Sequence, residues 1–267
     1  GEPYPRRAGR QGLSETLHAR EKGSGRETLV LLHGFGGHWM DWYDIQPDLA
    51  RDARVLAYDL PGHARSLGHP AAGSASGMAK AILADLDARG ISRIHVAGFS
   101  MGGAVATLMA LRAPDRIASL TLLAPGGFGP DISEERLKNL ASPGSTDRLR
   151  DAMNALCAPG FEMPTKNIAA LAATRSLPGQ EEKLVEIVGK IAKDGKQGEI
   201  PRETLAGLAM PVTVVWGTED PVLPYAQSQG LPPSFHFVRV PGVGHMLPEE
   251  ARKTVIQAIR TTMRRAE

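Results

Sequence analysis

Gly98-Phe99-Ser100-Met101-Gly102-Gly103 is the stretch whose reading decides the fold of this chain. It follows the apolar run Ile94-His95-Val96-Ala97 and precedes Ala104-Val105-Ala106-Thr107-Leu108-Met109, which has the composition of a buried helix. Ser100 therefore falls where a strand turns sharply into a helix. A G-x-S-x-G string at such a turn lifts the serine hydroxyl clear of a sheet, in a strained backbone that only small neighbours allow. Gly98 and Gly102 supply that room.

A serine hydroxyl is a weak nucleophile at neutral pH, so a base must take its proton and N–H donors must receive the negative oxygen formed on attack. Upstream, Thr28-Leu29-Val30-Leu31-Leu32 reads as a parallel strand covered on both faces, and it ends in His33-Gly34-Phe35-Gly36-Gly37. Glycines after a strand let backbone N–H groups approach a bound oxygen. The N–H of Phe35 and the N–H of Met101, next to the serine, are the candidate oxyanion donors. A phosphate cradle fails on detail, because Trp39 stands where the last glycine of G-x-G-x-x-G belongs and no Gly-Lys-Ser/Thr follows. His33 reads as a brace for the loop rather than as the base.

Downstream, Val212-Thr213-Val214-Val215-Trp216 reads as a strand that runs into Gly217-Thr218-Glu219-Asp220-Pro221. Asp220 thus lies just past a strand end, where catalytic groups gather in open α/β sheets. A further strand, Phe235 to Val240, leads to Gly244-His245-Met246 and then to a closing helix. That helix has Glu249 and Glu250 near its start and Arg264 and Arg265 at its end, the polarity a helix dipole favours. Serine, acid and histidine then follow in the order Ser100, Asp220, His245, one of the orders a Ser-His-Asp triad takes. Glu219 precedes the Asp-Pro turn and is the weaker acid candidate. The strand after the elbow helix ends in Ala124-Pro125 and offers none.

The remaining segments fill in the architecture. Ser14 to Ala19 alternates like an early strand, and Lys22-Gly23-Ser24-Gly25 reads as a turn. Trp39, Trp42, Ile45 and Leu49 fall at helical spacing across 39–50, with Pro47 inside the segment. Arg54 to Leu60 reads as a strand closed by Pro61-Gly62-His63. Asp59, His63 and His69 complete no ligand set, so no metal is expected. Ser74 or Ser76 caps a helix ended by Gly90, and Ala118 to Leu123 is another strand. Strands alternating with helices predict an α/β fold with a doubly wound, mostly parallel sheet.

Between Pro125 and Leu208 the strand pattern stops, and prolines punctuate several helical segments, the clearest being Gln180 to Lys193. This predicts an inserted helical cap that shapes the substrate pocket and excludes water. The expected organisation is a core over residues 14–125 and 209–265, a cap over 126–208 and an N-terminal tail over 1–13.

A length of 267 residues with 42% apolar content supports a substantial core, and a net charge of +2 gives no reason to expect nucleic acid as a partner. No apolar run approaches the roughly 18 residues that span a bilayer, and the Arg-rich start has no apolar signal region, so neither a membrane partner nor a signal peptide is expected. A single cysteine, Cys157, flanked by Leu156, Ala158 and Pro159, reads as a buried structural thiol, and a cytoplasmic, reducing location is expected. The start at Gly1 rather than Met is the start expected of a trimmed native terminus or of a segment cut from a longer protein.

Taken together, His33 to Gly37, Asp59-Leu60-Pro61-Gly62-His63, the Ser100 turn, Trp216 to Asp220 and Gly244-His245-Met246 resemble the α/β-hydrolase fold superfamily over residues 14–265. Leu120 to Gly129 and the segment from Leu208 to Met246 further resemble the hydrolase-like domain of acetoin dehydrogenase E2 acyltransferases. Those proteins often carry a preceding lipoyl domain, and no lipoyl-like segment is present in these 267 residues. Ala64 departs from the pattern, replacing the third glycine of Asp-x-Pro-Gly-His-Gly-x-Ser.

The resemblance implies a cofactor-free serine hydrolase of carboxylesterase type. Ser100, Asp220 and His245 would be catalytic and Phe35 and Met101 would form the oxyanion hole, acting on a small ester, thioester or related carbonyl compound. A serine at the elbow argues against haloalkane dehalogenase and epoxide hydrolase chemistry. Carbon–carbon bond hydrolysis, perhydrolase or haloperoxidase activity, and a non-catalytic role as small-molecule receptor or accessory domain stay open. The expected partner is a small-molecule substrate, with a homodimer or an acyltransferase complex as the assemblies to consider.

Overall fold

The computed structural model describes residues 17–267. Its strands are β1 (Ala19–Lys22), β2 (Thr28–Leu32), β3 (Arg54–Tyr58), β4 (Ile94–Phe99), β5 (Ile117–Leu123), β6 (Val212–Gly217) and β7 (His236–Val240). They form one sheet in the order β1-β3-β2-β4-β5-β6-β7, in which only β1 is antiparallel to its neighbour. The helices are α1 (Gln46–Leu49), α2 (Ala75–Ala88), α3 (Met101–Arg112), α4 (Glu134–Ala141), α5 (Thr146–Asn154), α6 (Thr165–Arg175), α7 (Gln180–Ile191), α8 (Arg202–Ala206), α9 (Leu247–Glu250) and α10 (Arg252–Arg265).

Every residue of β4, β5 and β6 is buried, which is why these strands read as apolar runs without alternation. Helix α3 packs on β4 and β5, while α10 packs on β5 and β6 through Val255, Ala258, Ile259 and Thr262. The Ser74 Oγ accepts the Gly77 N–H at 3.0 Å and starts α2, and Gly90, at φ 74°, follows its end. Helices α4 to α8 all lie between β5 and β6 in the chain.

Three expectations are revised. Ser14 to Thr16, part of the expected first strand, and residues 1–13 lie outside the described residues. The observed first strand starts at Ala19 and includes Lys22, which the sequence placed in a turn. The helix expected over 39–50 is two pieces, a 3-10 turn at Trp39–Trp42 and α1, because Pro47 fits only a first helical turn, where its missing N–H costs nothing. The closing helix is also divided: Ala251, at φ −140°, separates α9 from α10.

Candidate active site

Four strand ends converge on Ser100. The serine closes β4 at φ 55° and ψ −117°, and its N–H donates to the Leu123 oxygen at 2.9 Å. A left-handed serine is strained, and such strain persists only where the surroundings over-determine it. Here they do so through glycine. A Cβ on Gly98 would lie 2.2 Å from the Gly102 oxygen, and one on Gly102 would lie 2.4 Å from the oxygens of Leu32 and His33. The elbow, the end of β2 and the start of α3 therefore interlock only without side chains at these two positions.

The loop after β7 brings His245 to the serine. Its Nε2 lies 3.0 Å from Ser100 Oγ and its Nδ1 2.8 Å from Asp220 Oδ2. The other Asp220 oxygen accepts the N–H groups of Val222 and Leu223, each at 2.9 Å, which fixes the carboxylate after β6. All three side chains are buried. Since the carboxylate accepts at Nδ1, Nε2 of the neutral ring is free to accept the serine proton.

The histidine loop is held from outside the sheet. Glu250 Oε1 accepts the N–H groups of Gly244 and Ala158, and its Oε2 accepts that of Met246. The His245 N–H donates to the Leu156 oxygen at 2.9 Å. Residues on both sides of His245 are thus tied to one carboxylate, and through Leu156 and Ala158 to the helical insertion.

The loop after β2 is braced by two neutral histidines. The Leu60 N–H donates to His33 Nε2 at 2.9 Å, so Nδ1 carries the proton and donates to the Gly34 oxygen at 2.7 Å. His63 Nε2 likewise accepts the Gly36 N–H at 3.0 Å, and its Nδ1 faces the Pro61 oxygen at 3.1 Å. Burial lowers His33 to about 4 and holds His63 well below its ordinary value, so both rings stay uncharged at neutral pH. The Gly36 N–H is taken by His63, and Phe35 stands at the wall of the chamber beside Ser100. Met101 opens α3, where a first-turn N–H has no intrahelical acceptor.

Two charged side chains that the sequence left unassigned stand on this loop. Asp41 Oδ2 accepts the His38 N–H at 3.2 Å, and burial raises its carboxyl to about 7. Arg175, at the end of α6, donates to the Leu140 oxygen from Nε and Nη2 and to Thr174 Oγ1 from Nη1. Its guanidinium lies over Gly36, and burial lowers it to about 10, so it remains a cation at neutral pH. The signal for Asp41 was an acid between two tryptophans in a segment otherwise read as core. Arg175 gave no such signal, because its position depends on how the insertion folds back.

A chamber of about 30 Å³ lies beside Ser100 and His245, lined by Phe35, Gly36 and Asp41 and by Leu137, Leu140, Met153, Leu156 and Leu171 of the insertion. A larger cavity of about 290 Å³ adjoins Asp41 between the Trp39–Trp42 turn, α6 and α9. Among the described residues no group of three His, Cys, Asp or Glu side chains could hold a metal ion, and no helix is long and apolar enough to cross a membrane.

Comparisons with known proteins agree with this architecture. Residues 29–258 match the alpha/beta hydrolase family. The dihydrolipoyllysine-residue acetyltransferase component of the acetoin cleaving system of Pseudomonas putida is 34% identical over 91% of this chain and 65% of its own length. The corresponding component from Cupriavidus necator is 34% identical over 84% of this chain and 60% of its own length, so the chain spans less than two thirds of either relative. A 2-hydroxy-6-oxononadienedioate/2-hydroxy-6-oxononatrienedioate hydrolase of Burkholderia vietnamiensis is 30% identical over 80% of this chain and 77% of its own length. Among solved structures, the 2-hydroxy-6-oxo-6-phenylhexa-2,4-dienoate hydrolase of Rhodococcus superposes with a TM-score of 0.80 at 24% identity, covering 93% of this chain and 94% of that one, a likeness of fold. The chain belongs to the alpha/beta hydrolase family.

Proposed function

We propose that the chain hydrolyses a small ester, thioester or related carbonyl compound by two-step acyl transfer. The observation that carries this reading is the position of His245, 3.0 Å from Ser100 Oγ and 2.8 Å from Asp220 Oδ2. As Ser100 attacks the carbonyl, His245 Nε2 takes its proton, and Asp220 holds the ring in the required tautomer and stabilises the imidazolium. The N–H groups of Phe35 and Met101 receive the oxyanion, a contribution of roughly 10²–10³ in rate per donor in comparable sites. His245 then returns the proton to the leaving group, and a water activated by the same ring releases the acyl group. The helices between β5 and β6 act as the cap, and Leu137 and Leu140 of α4, Met153 of α5 and Leu171 of α6 line the chamber beside the serine.

A fluorophosphonate probe and short-chain p-nitrophenyl esters test the assignment. Wild-type protein is expected to be labelled and to turn over repeatedly, and Ser100→Ala to do neither; full labelling of the variant would sink it. Slow single modification with a ligand-induced rise in Tm would instead indicate a receptor.

The relatives favour two narrower versions of the same chemistry. The dienedioate hydrolases favour cleavage of a carbon–carbon bond next to a ketone, tested with their named substrate. The acetyltransferase components favour a thioester or an accessory role beside an acyltransferase, tested with acyl thioesters and by co-purification with such a complex.

A further inference from the structure

The acyl group is the part of the substrate that stays bonded to the nucleophile while the leaving group departs and water enters, so the space it fills must open on the serine itself. Ser100 and His245 stand in the wall of the chamber of about 30 Å³ and not in that of the larger cavity. A water-sized group needs about 10–15 Å³ of such space, so the chamber admits about two. With the carbonyl carbon at Ser100 Oγ, that leaves room for roughly one or two further carbon atoms.

Much of the wall is apolar and comes from three helices of the insertion: Leu137 and Leu140, one turn apart on α4, Met153 on α5 and Leu171 on α6. All four side chains are buried. The wall is also tied. Arg175, one turn beyond Leu171 on α6, donates Nε and Nη2 to the Leu140 oxygen at 3.1 and 2.9 Å, so the helices that carry Leu140 and Leu171 cannot part without losing both bonds. Close-packed side chains held in this way do not stretch to admit extra methylenes without strain.

We propose that Leu137, Leu140, Met153 and Leu171 gauge the length of the acyl group, so that the protein acts on acetyl and propionyl esters or thioesters and turns away longer acyl chains. The proposal rests on the reading of Ser100 as nucleophile.

The test uses the intact protein with p-nitrophenyl acetate, propionate, butyrate and hexanoate, which share one leaving group. In an open apolar site each added methylene would raise kcat/KM about fourfold by its burial. Here propionate is instead expected to exceed hexanoate by about tenfold or more. Leu171→Ala removes most of one side chain from the wall and is expected to raise the hexanoate-to-acetate ratio about tenfold or more. One folded population hydrolyses both esters, so the ratio does not depend on how much of the variant is folded. Leu171→Val, a smaller change in packing, is expected to move the ratio the same way by less, and it decides the matter if the alanine variant does not fold. Ethyl, butyl and hexyl acetate vary the alcohol alone, and the same variants are expected to leave that series unchanged. Hexanoate turned over by the wild type as fast as acetate, a ratio unmoved by the variants, or a shift in the alcohol series in place of the acyl series overturns the gauge while acetate is still hydrolysed through Ser100. If the wild type shows no acetate turnover that Ser100→Ala abolishes, the nucleophile reading falls and the gauge with it.

Discussion

Ala64 and Ser100 both hold a positive φ, 49° and 55°, and the two strains differ in meaning. The Ser100 conformation presents the hydroxyl to His245, so relieving it would remove the site. Ala64 stands where the family pattern has glycine, and its N–H donates to Gln180 Oε1 at 2.7 Å, a bond any residue could make. A left-handed alanine costs about 1–2 kcal/mol, partly offset by the greater chain entropy glycine loses on folding. Ala64→Gly is therefore expected to stabilise the protein by up to about 1 kcal/mol in urea unfolding. His33 has the opposite leverage. Its value falls from 6.5 in the unfolded chain to about 4 in the fold, so its contribution is complete above pH 6.5 and is lost as pH falls towards 4. The shift corresponds to about 3 kcal/mol. The stability difference between wild type and His33→Ala should shrink by a comparable amount between pH 6.5 and 4; a difference independent of pH would contradict the neutral-brace role.

At the scale of elements, α9 is four residues long yet supplies the carboxylate that clamps the His245 loop. Glutamine at position 250 keeps one acceptor oxygen but turns an amide group towards a backbone N–H. Glu250→Gln should cost about 2 kcal/mol of stability and lower kcat for a p-nitrophenyl ester about tenfold with little change in KM, as measured by melting and steady-state kinetics. Rescue of kcat by Glu250→Asp would tie the effect to the clamp.

The same elements show what the sequence made legible. Strands β2, β4, β5 and β6 are buried on both faces and announce themselves as apolar runs. The loops that follow them carry short motifs whose residue types are dictated by close backbone approach. Strand β1 carries Ala-Arg-Glu-Lys and is defined by its bonds to β3 alone, so its composition resembles a turn. Arg175 meets Leu140, 35 residues away, Glu250 meets Ala158, 92 residues away, and Asp41 lines a chamber walled by residues from between β5 and β6; no local pattern encodes those contacts.

Across the whole molecule, burial grades from the centre of the sheet to its edges. Strands β1 and β7 are exposed along most of their length, while β4 to β6 are wholly buried. Native-state hydrogen exchange should therefore be slowest in β4, β5 and β6 and faster by orders of magnitude in β1 and β7. Uniform protection across the sheet would contradict this ordering. One feature of the assembled molecule has a practical use. Cys157, the only cysteine in the chain, is buried in the insertion where its backbone meets Gly244, so closely that a Cβ there would lie 2.6 Å from the Cys157 carbonyl carbon. Burial also pushes its thiol up, leaving it almost wholly protonated and unreactive at neutral pH. The protein thus carries an intrinsic chemical clock: the rate at which a disulfide reagent titrates this sulfur times the local opening that exposes Cys157, without any label introduced by design.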